Sequence, residues 1–398
     1  MAEKSKNCRR VVLITLDGVG IGALPDAQAY GDLGAHTLRH VAESFRDFCL
    51  PNLQRLGLGN IDSVPGIPQH LEPQACYGKM SEVSCGKDTT TGHWELCGLQ
   101  ILRPFQTYPQ GFPEEIIDTL CRRIGQSVLG NYAASGTDII RDLGDQHRRT
   151  GLPIVYTSSD SVFQIAAHEE VIPIERLYEI CRIAREILND YYVARVIARP
   201  FTGASTETYK RTSRRKDFSI PPTGRTILDA IVQSTLEVYG VGKISDIFAA
   251  QGVSRSVKTE SDRDGMNKII EALETATGGL VFANLVDFDM HFGHRCDAIG
   301  FALNLQMFDA FIPDLLSRLG NNDLLLITAD HGCDPTTPGT DHTREYVPVL
   351  MWNRNFMTGV DLGVRESFAD VAATIGEWLE VASPSGTSLL RNIEFRPE

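Results

Sequence analysis

The 398 residues contain no C-x-x-C pair, no internal repeat and no long low-complexity linker. No stretch approaches the roughly 20 apolar residues of a membrane span. The nine cysteines are scattered and odd in number, which does not suggest a disulfide framework and predicts reduced thiols. Basic residues are also scarce. With 38 Lys and Arg against 51 Asp and Glu, the net charge is −13. General nucleic-acid binding, which needs Lys and Arg to neutralise phosphates, is therefore disfavoured. Any anionic substrate has to be held by local charge. The opening residues MAEKSKNCRR are polar and lack the apolar core of a secretory signal. Cytoplasmic residence is the expectation, with no membrane, nucleic-acid or obligate protein partner.

What is present reads as an ordinary globular composition, 42% hydrophobic and 22% charged. The length exceeds the usual single domain. Strand patterns at 11–16, 154–157, 193–198, 280–286, 323–329 and 346–352 alternate with helical patterns near 37–45 and at 174–188, 226–237, 299–318 and 367–379. Such alternation predicts an α/β fold, a mostly parallel sheet flanked by helices. Metal-type residues lie before about residue 100 and after about 285. The segment between them has its own strands and helices. The pattern predicts a catalytic core of 1–100 and 222–398 with a smaller α/β cap, 101–221, inserted into it. Pro221-Pro222-Thr223-Gly224 punctuates the return.

Five short clusters carry the chemistry. Asp17 follows the apolar run VVLITL and Asp330-His331 follows DLLLITA; Asp289 and His294 follow LVFANLV, and His342 comes later. Acids directly after buried parallel strands sit where open α/β sheets build their sites. The adjacent Asp330-His331 pair is expected to point in different directions and so to serve one metal or two. Three carboxylates, three neutral imidazoles and two divalent ions leave a local charge of about plus one, which attracts phosphate. Two such ions lower the pKa of a coordinated hydroxyl and clamp both oxygens of an in-line transfer. Mixed Asp and His donors suit Mn²⁺ or Zn²⁺ better than an all-oxygen Ca²⁺ site.

A nucleophile candidate lies in SCGKDTTTGHWELCG (84–98), where a Thr hydroxyl can sit at a helix start whose free N–H groups favour phosphate. Spacing does not choose among Thr89, Thr90 and Thr91. Residues 195–225 hold eight Lys or Arg against Glu207 and Asp217, which in an acidic chain reads as a phosphate-gathering surface, with a solvated loop or a weak nucleic-acid patch as the alternative. Arg199, after a strand, is the stronger candidate within it. Cys333 stands two residues past His331, and a packing role is favoured there over a thiolate competing for a soft metal. His291 reads as a bystander beside Asp289.

The motifs LDGVGIGALPDA, GKDTTTGHWE, YTSSDSVFQIAAHEE, RVIARPF, GKISDIF, NLVDFDMHFGH and ITADHGCDPTTPGTDHTREYVPVL resemble the prokaryotic phosphopentomutase family of the alkaline phosphatase superfamily, from about residue 11 to the C-terminus. The resemblance implies an alkaline-phosphatase-like core with an inserted cap. It assigns Asp289, His294 and His342 to one metal and Asp17, Asp330 and His331 to a second, both most often Mn²⁺. It makes Thr89 the phosphorylated residue and implies substrate contacts from Ser158, Asp160, Arg199, Arg215 and Lys243. The implied reaction interconverts ribose 1-phosphate and ribose 5-phosphate, and the 2-deoxyribose pair, on small-molecule sugar phosphates. Glucose 1,6-bisphosphate or a pentose 1,5-bisphosphate is the implied activator. A metal-dependent phosphatase or phosphodiesterase and a non-catalytic metal-binding protein are the alternatives.

Overall fold

The structure is a computed structural model that describes residues 9–158, 161–391 and 393–396. The chain forms two compact units, one from the residues up to Arg103 and from Gly224 onward, the other from Pro104–Thr223.

The first unit is built on an eight-stranded sheet. Its order is Arg255–Val257, Val238–Val241, Gly279–Leu285, Arg10–Leu16, Asp323–Thr328, Val347–Trp352, Cys76–Met80, Asp361–Arg365. Arg10–Leu16 lies at the centre, parallel to both neighbours. Val11, Val12, Leu13 and Ile14 in it are all fully buried, so the run is continuously apolar rather than alternating, as a strand covered on both faces must be. Antiparallel pairing enters only around Val347–Trp352, with both of its neighbours.

The helix Ala298–Arg318 covers part of this sheet. By length and composition it could cross a membrane, which corrects the expectation that no stretch reaches span dimensions. Its buried residues Phe301, Leu305, Phe308, Ile312 and Leu315 recur at helical spacing and pack with the helices Thr37–Ser44 and Pro51–Leu56. Asp309, on the same face, accepts hydrogen bonds from Asn52 N and Leu53 N at 3.0 and 2.7 Å and so caps the second of these helices.

The second unit has a mixed sheet, ordered Leu129–Ala133, Ile154–Thr157, Val162–His168, Arg195–Thr202, Lys210–Arg211, with Lys216–Ser219 also pairing to Arg195–Thr202. Period-two alternation divides its core. Val155, Phe163 and Ile165 pack with the helices Glu114–Ile124 and Ile174–Leu188, whereas Ile154, Tyr156 and Ala166 pack with Gly136–Thr150. Where the chain re-enters the first unit, Ile227 N donates to Cys97 O at 2.9 Å, tying the two edges of the inserted segment together.

Candidate metal and phosphoryl-transfer site

Three parallel strands end in step at one edge of the larger sheet. Leu16 pairs with Leu285, and Thr15 pairs with both Asn284 and Thr328. The residues just beyond these ends are Asp17, Asp289 and Asp330, buried at 1%, 6% and 0% exposure. Asp289 rides on a π-helical turn, Phe288–Phe292, followed by a 3₁₀ turn, Gly293–Arg295, which swings His294 back toward it. The loop after Asp330 is pinned by a buried carboxylate. Glu345 accepts hydrogen bonds from Thr37 N, Thr37 Oγ1, Gly22 N and Thr343 Oγ1 at 2.6–3.0 Å.

The imidazoles converge on the carboxylates. His294 Nε2 lies 3.2 Å from Asp289 Oδ2 and His342 Nε2 lies 3.4 Å from Asp289 Oδ1. His331 Nε2 lies 3.3 Å from both Asp17 Oδ1 and Asp330 Oδ2. The expected divergence of Asp330 and His331 is therefore not observed; both side chains turn toward Asp17. Donor atoms fall into the groups Asp17, Asp330, His331 and Asp289, His331, His342, with a third of Asp289, His294 and Cys333.

This arrangement fits cations. Asp17 Oδ1, Asp289 Oδ1, Asp330 Oδ2 and His342 Nε2 are buried without a hydrogen-bond partner, although the contacts above are close. Orphaned oxygens and nitrogens at this density are costly unless something positive sits among them. The outer nitrogens are already committed. His294 Nδ1 donates to Thr340 O at 2.5 Å and His331 Nδ1 to Gly332 O at 3.0 Å, which leaves each Nε2 facing the acids.

The electrostatics agree. Burial, aided by the Asp330 charge, pushes the Asp17 carboxyl up. Burial would raise Asp289 too, but His294 and His342 outweigh it and hold that carboxyl well below the usual range. For Asp330 burial is again opposed, here by His331 and His93, and the net shift is downward. Burial disfavours His331 as a cation, yet Asp330 and Asp17 carry it well above the ordinary imidazole value. A bound divalent ion would take over the charge that His331 now supplies.

Thr89 opens the helix Thr89–Leu96, and its Oγ1 lies 3.2 Å from His331 Nε2. Its neighbours are engaged differently. Thr91 Oγ1 donates to Asp88 O at 2.9 Å and accepts from Asp88 N at 3.3 Å, closing a capping box. Asp88 Oδ1 in turn accepts from Thr90 N and Thr91 N. The free N–H groups expected at this helix start are thus occupied by Asp88, because an acid at the N-cap takes them first. The helix comes close to the sheet because position 92 is glycine. A Cβ there would sit 2.0 Å from Asp330 O.

His93 was not among the residues singled out from the sequence. It is fully buried, one helical turn after Thr89, with Nδ1 2.9 Å from Thr89 O and 3.0 Å from Asp330 Oδ2. The i, i+4 spacing from Thr89 was the available signal. Asn284, whose Nδ2 donates to Asp17 Oδ2 at 2.9 Å, was also missed; an asparagine within the otherwise apolar run LVFANLV was the available signal. His291 contacts Asp287 at 3.7 Å rather than Asp289.

Lys243 is exposed and follows the strand Val238–Val241, at the same end of the sheet as Asp17. The other expected contacts belong to the second unit. Ser158 follows Ile154–Thr157, and Asp160 lies outside the described residues. Arg199 Nε donates to Gln164 Oε1 at 3.0 Å; burial, then Arg215, lowers its pKa. Arg215 pairs in bidentate fashion with Asp217 at 2.7 Å, whereas Arg214 is tied to Glu169.

A sheet with this buried acid and imidazole cradle at its carboxyl edge is that of a metalloenzyme, and a family model of the Metalloenzyme superfamily matches residues 9–383. The PH0037 protein from Pyrococcus horikoshii shares the fold, with TM-score 0.51 at 15% identity over 95% of this chain and 99% of that one. The fold is the alkaline-phosphatase-like α/β one. A phosphopentomutase of Syntrophotalea carbinolica is 57% identical over 382 residues, covering 96% of this chain and 97% of its own. A phosphopentomutase of Caldanaerobacter subterraneus subsp. tengcongensis is 54% identical over 390 residues, covering 98% and 99%. The chain belongs to the phosphopentomutase family, and it is an isomerase that uses divalent metal.

Proposed function

We propose that this chain interconverts α-D-ribose 1-phosphate and D-ribose 5-phosphate, and the 2-deoxyribose equivalents, through a phosphothreonine at residue 89 and a pentose bisphosphate. The observation that carries this reading is the Thr89 Oγ1 to His331 Nε2 distance of 3.2 Å, in a cradle of three buried carboxylates. Asp289, His294 and His342 would hold one ion and Asp17, Asp330 and His331 the other; these donors suit Mn²⁺ or Zn²⁺, and the family resemblance favours Mn²⁺. Bound there, the ions would supply charge that favours the Thr89 alkoxide and the transferring phosphoryl oxygens.

The chain's own residues set the rest. Asp88 and Thr91 fix the start of the helix that carries the Thr89 hydroxyl. His93 Nδ1 lies 3.0 Å from Asp330 Oδ2, the oxygen that also faces His331. Phosphorylated Thr89 gives its phosphoryl group to the free hydroxyl of the incoming sugar phosphate, and the bisphosphate, turned end for end, returns the other phosphate to Thr89. Ser158, Asp160, Arg199, Arg215 and Lys243 are the proposed sugar-phosphate contacts, with Arg199 the bidentate phosphate binder among them. Glucose 1,6-bisphosphate or a pentose 1,5-bisphosphate would charge an unphosphorylated Thr89.

The test is to incubate the Mn²⁺-loaded protein with ribose 5-phosphate and a trace of glucose 1,6-bisphosphate. Formation of ribose 1-phosphate, with phosphate on the peptide carrying Thr89 in mass spectra, is expected. Release of inorganic phosphate as the main product would make the chain a phosphatase instead.

A further inference from the structure

Cys333 is the one thiol in contact with this cradle among the described donor groups, and its setting is more specific than packing requires. Its Sγ, one Asp289 oxygen and one His294 nitrogen lie within 4.8 Å of one another. The residue is 1% exposed and cannot easily turn away. Its amide donates to Gly18 O at 2.8 Å and also approaches Thr37 Oγ1 at 3.2 Å. Two glycines shape the socket around it. A Cβ at Gly293 would sit 2.4 Å from Sγ, and a Cβ at Gly18 would sit 2.8 Å from the Cys333 Cβ. Independently, Asp289 Oδ1 is buried without a hydrogen-bond partner.

We propose that Asp289, His294 and Cys333 form an alternative three-donor site for thiophilic divalent ions of the zinc and cadmium class. The inference rests on Asp289 and His294 being metal ligands. A hard ion such as Mn²⁺ takes the carboxylate and imidazole donors and leaves Cys333 a neutral thiol. A soft ion takes the sulfur as well. The S–H bond breaks, a metal–sulfur bond forms, and the proton leaves to the buffer, with no change in oxidation state. Because Asp289 and His294 serve both arrangements, a soft ion held by Cys333 and a hard ion on the same two donors exclude each other.

The experiment titrates the chelator-treated full-length chain separately with Cd²⁺ and with Mn²⁺. The wild type is expected to show ultraviolet thiolate-to-cadmium charge-transfer absorption that saturates with bound Cd²⁺. In Cys333→Ser that absorption should vanish and Cd²⁺ affinity should fall at least about tenfold, the scale already set by losing an outer-shell partner, while Mn²⁺ affinity holds. Cys333→Ala serves as the second variant should a buried serine hydroxyl perturb the loop. No absorption in the wild type, absorption retained in both variants, or Cd²⁺ and Mn²⁺ affinities falling together would each overturn the proposal. If Mn²⁺ binds none of these proteins, the ligand assignment itself fails; if Mn²⁺ binds and Cd²⁺ gives no absorption, only the role of Cys333 fails.

Discussion

Thr89 and His331, 242 positions apart in sequence, meet with Oγ1 and Nε2 3.2 Å apart, whereas Thr91, two residues on, is bonded to Asp88. The two threonines should therefore separate chemistry from stability. Thr89→Val is expected to abolish phosphoenzyme formation with little change in melting temperature. Thr91→Val should keep phosphorylation but lose the capping box, costing about 1 kcal/mol. Phosphopeptide mapping and a thermal melt on both variants check this, and phosphate on Thr91 in the unmutated protein would reverse the assignment.

Gly92→Ala places a methyl group against Asp330 O, a backbone atom that cannot swing aside. The helix must shift away from the strand end, at a cost of roughly 1–3 kcal/mol. Because Thr89 is on that helix, phosphorylation should fall much more than in a variant of similar stability altered elsewhere. Equal activity at matched stability would show that the close approach is not what positions the hydroxyl.

His93 supports Asp330 at 3.0 Å without belonging to any of the three donor groups. His93→Phe keeps a ring of similar size and removes the nitrogen. Mn²⁺ affinity should drop about 10- to 100-fold, the usual effect of losing an outer-shell partner, with partial recovery in His93→Gln. Isothermal titration with Mn²⁺ reads the change, and unaltered affinity in His93→Phe would remove His93 from the metal's support.

Burial, then the neighbouring Arg39 charge, lowers the pKa of His36 to about 4. Its Nδ1 accepts from Arg39 N at 3.2 Å as a helix cap, so the neutral ring is the native form. The unfolded chain binds the extra proton at higher pH than the folded one, so between pH 6.5 and 4 stability falls as pH falls. Asn caps a helix equally well and does not titrate. His36→Asn should flatten this part of the profile by about 1–2 kcal/mol after allowance for solvent screening. Denaturant melts across this pH window compare the slopes; parallel slopes would show that other groups control the acid limb.

The apolar strands were legible as β-branched or leucine runs, two of them ending in an acid, as in VVLITLD and DLLLITAD. The helix Ile174–Leu188 was equally plain from its period. The helix read as 226–237 stops at Gln233 because Thr235, at φ 65°, turns the chain into the strand Val238–Val241. No local pattern announces a left-handed threonine. The helix carrying Thr89 was legible only at its start, since seven of its eight residues are buried and it has no polar face to set a period. Which histidine faces which acid was, for a different reason, not legible from spacing and came only from the family resemblance. His331 and Asp17 are brought together by sheet register, which is a long-range property.

The hydrogen bond from Ile227 N to Cys97 O joins the chain on either side of the inserted segment. To the larger unit, everything between is one surface loop whose ends already touch. Evolution can then lengthen, shorten or exchange that loop without moving the strand ends that carry Asp17, Asp289 and Asp330. The strand ends that carry the cradle and the sequence of the inserted segment can in this way vary independently, because the joint between them is already closed.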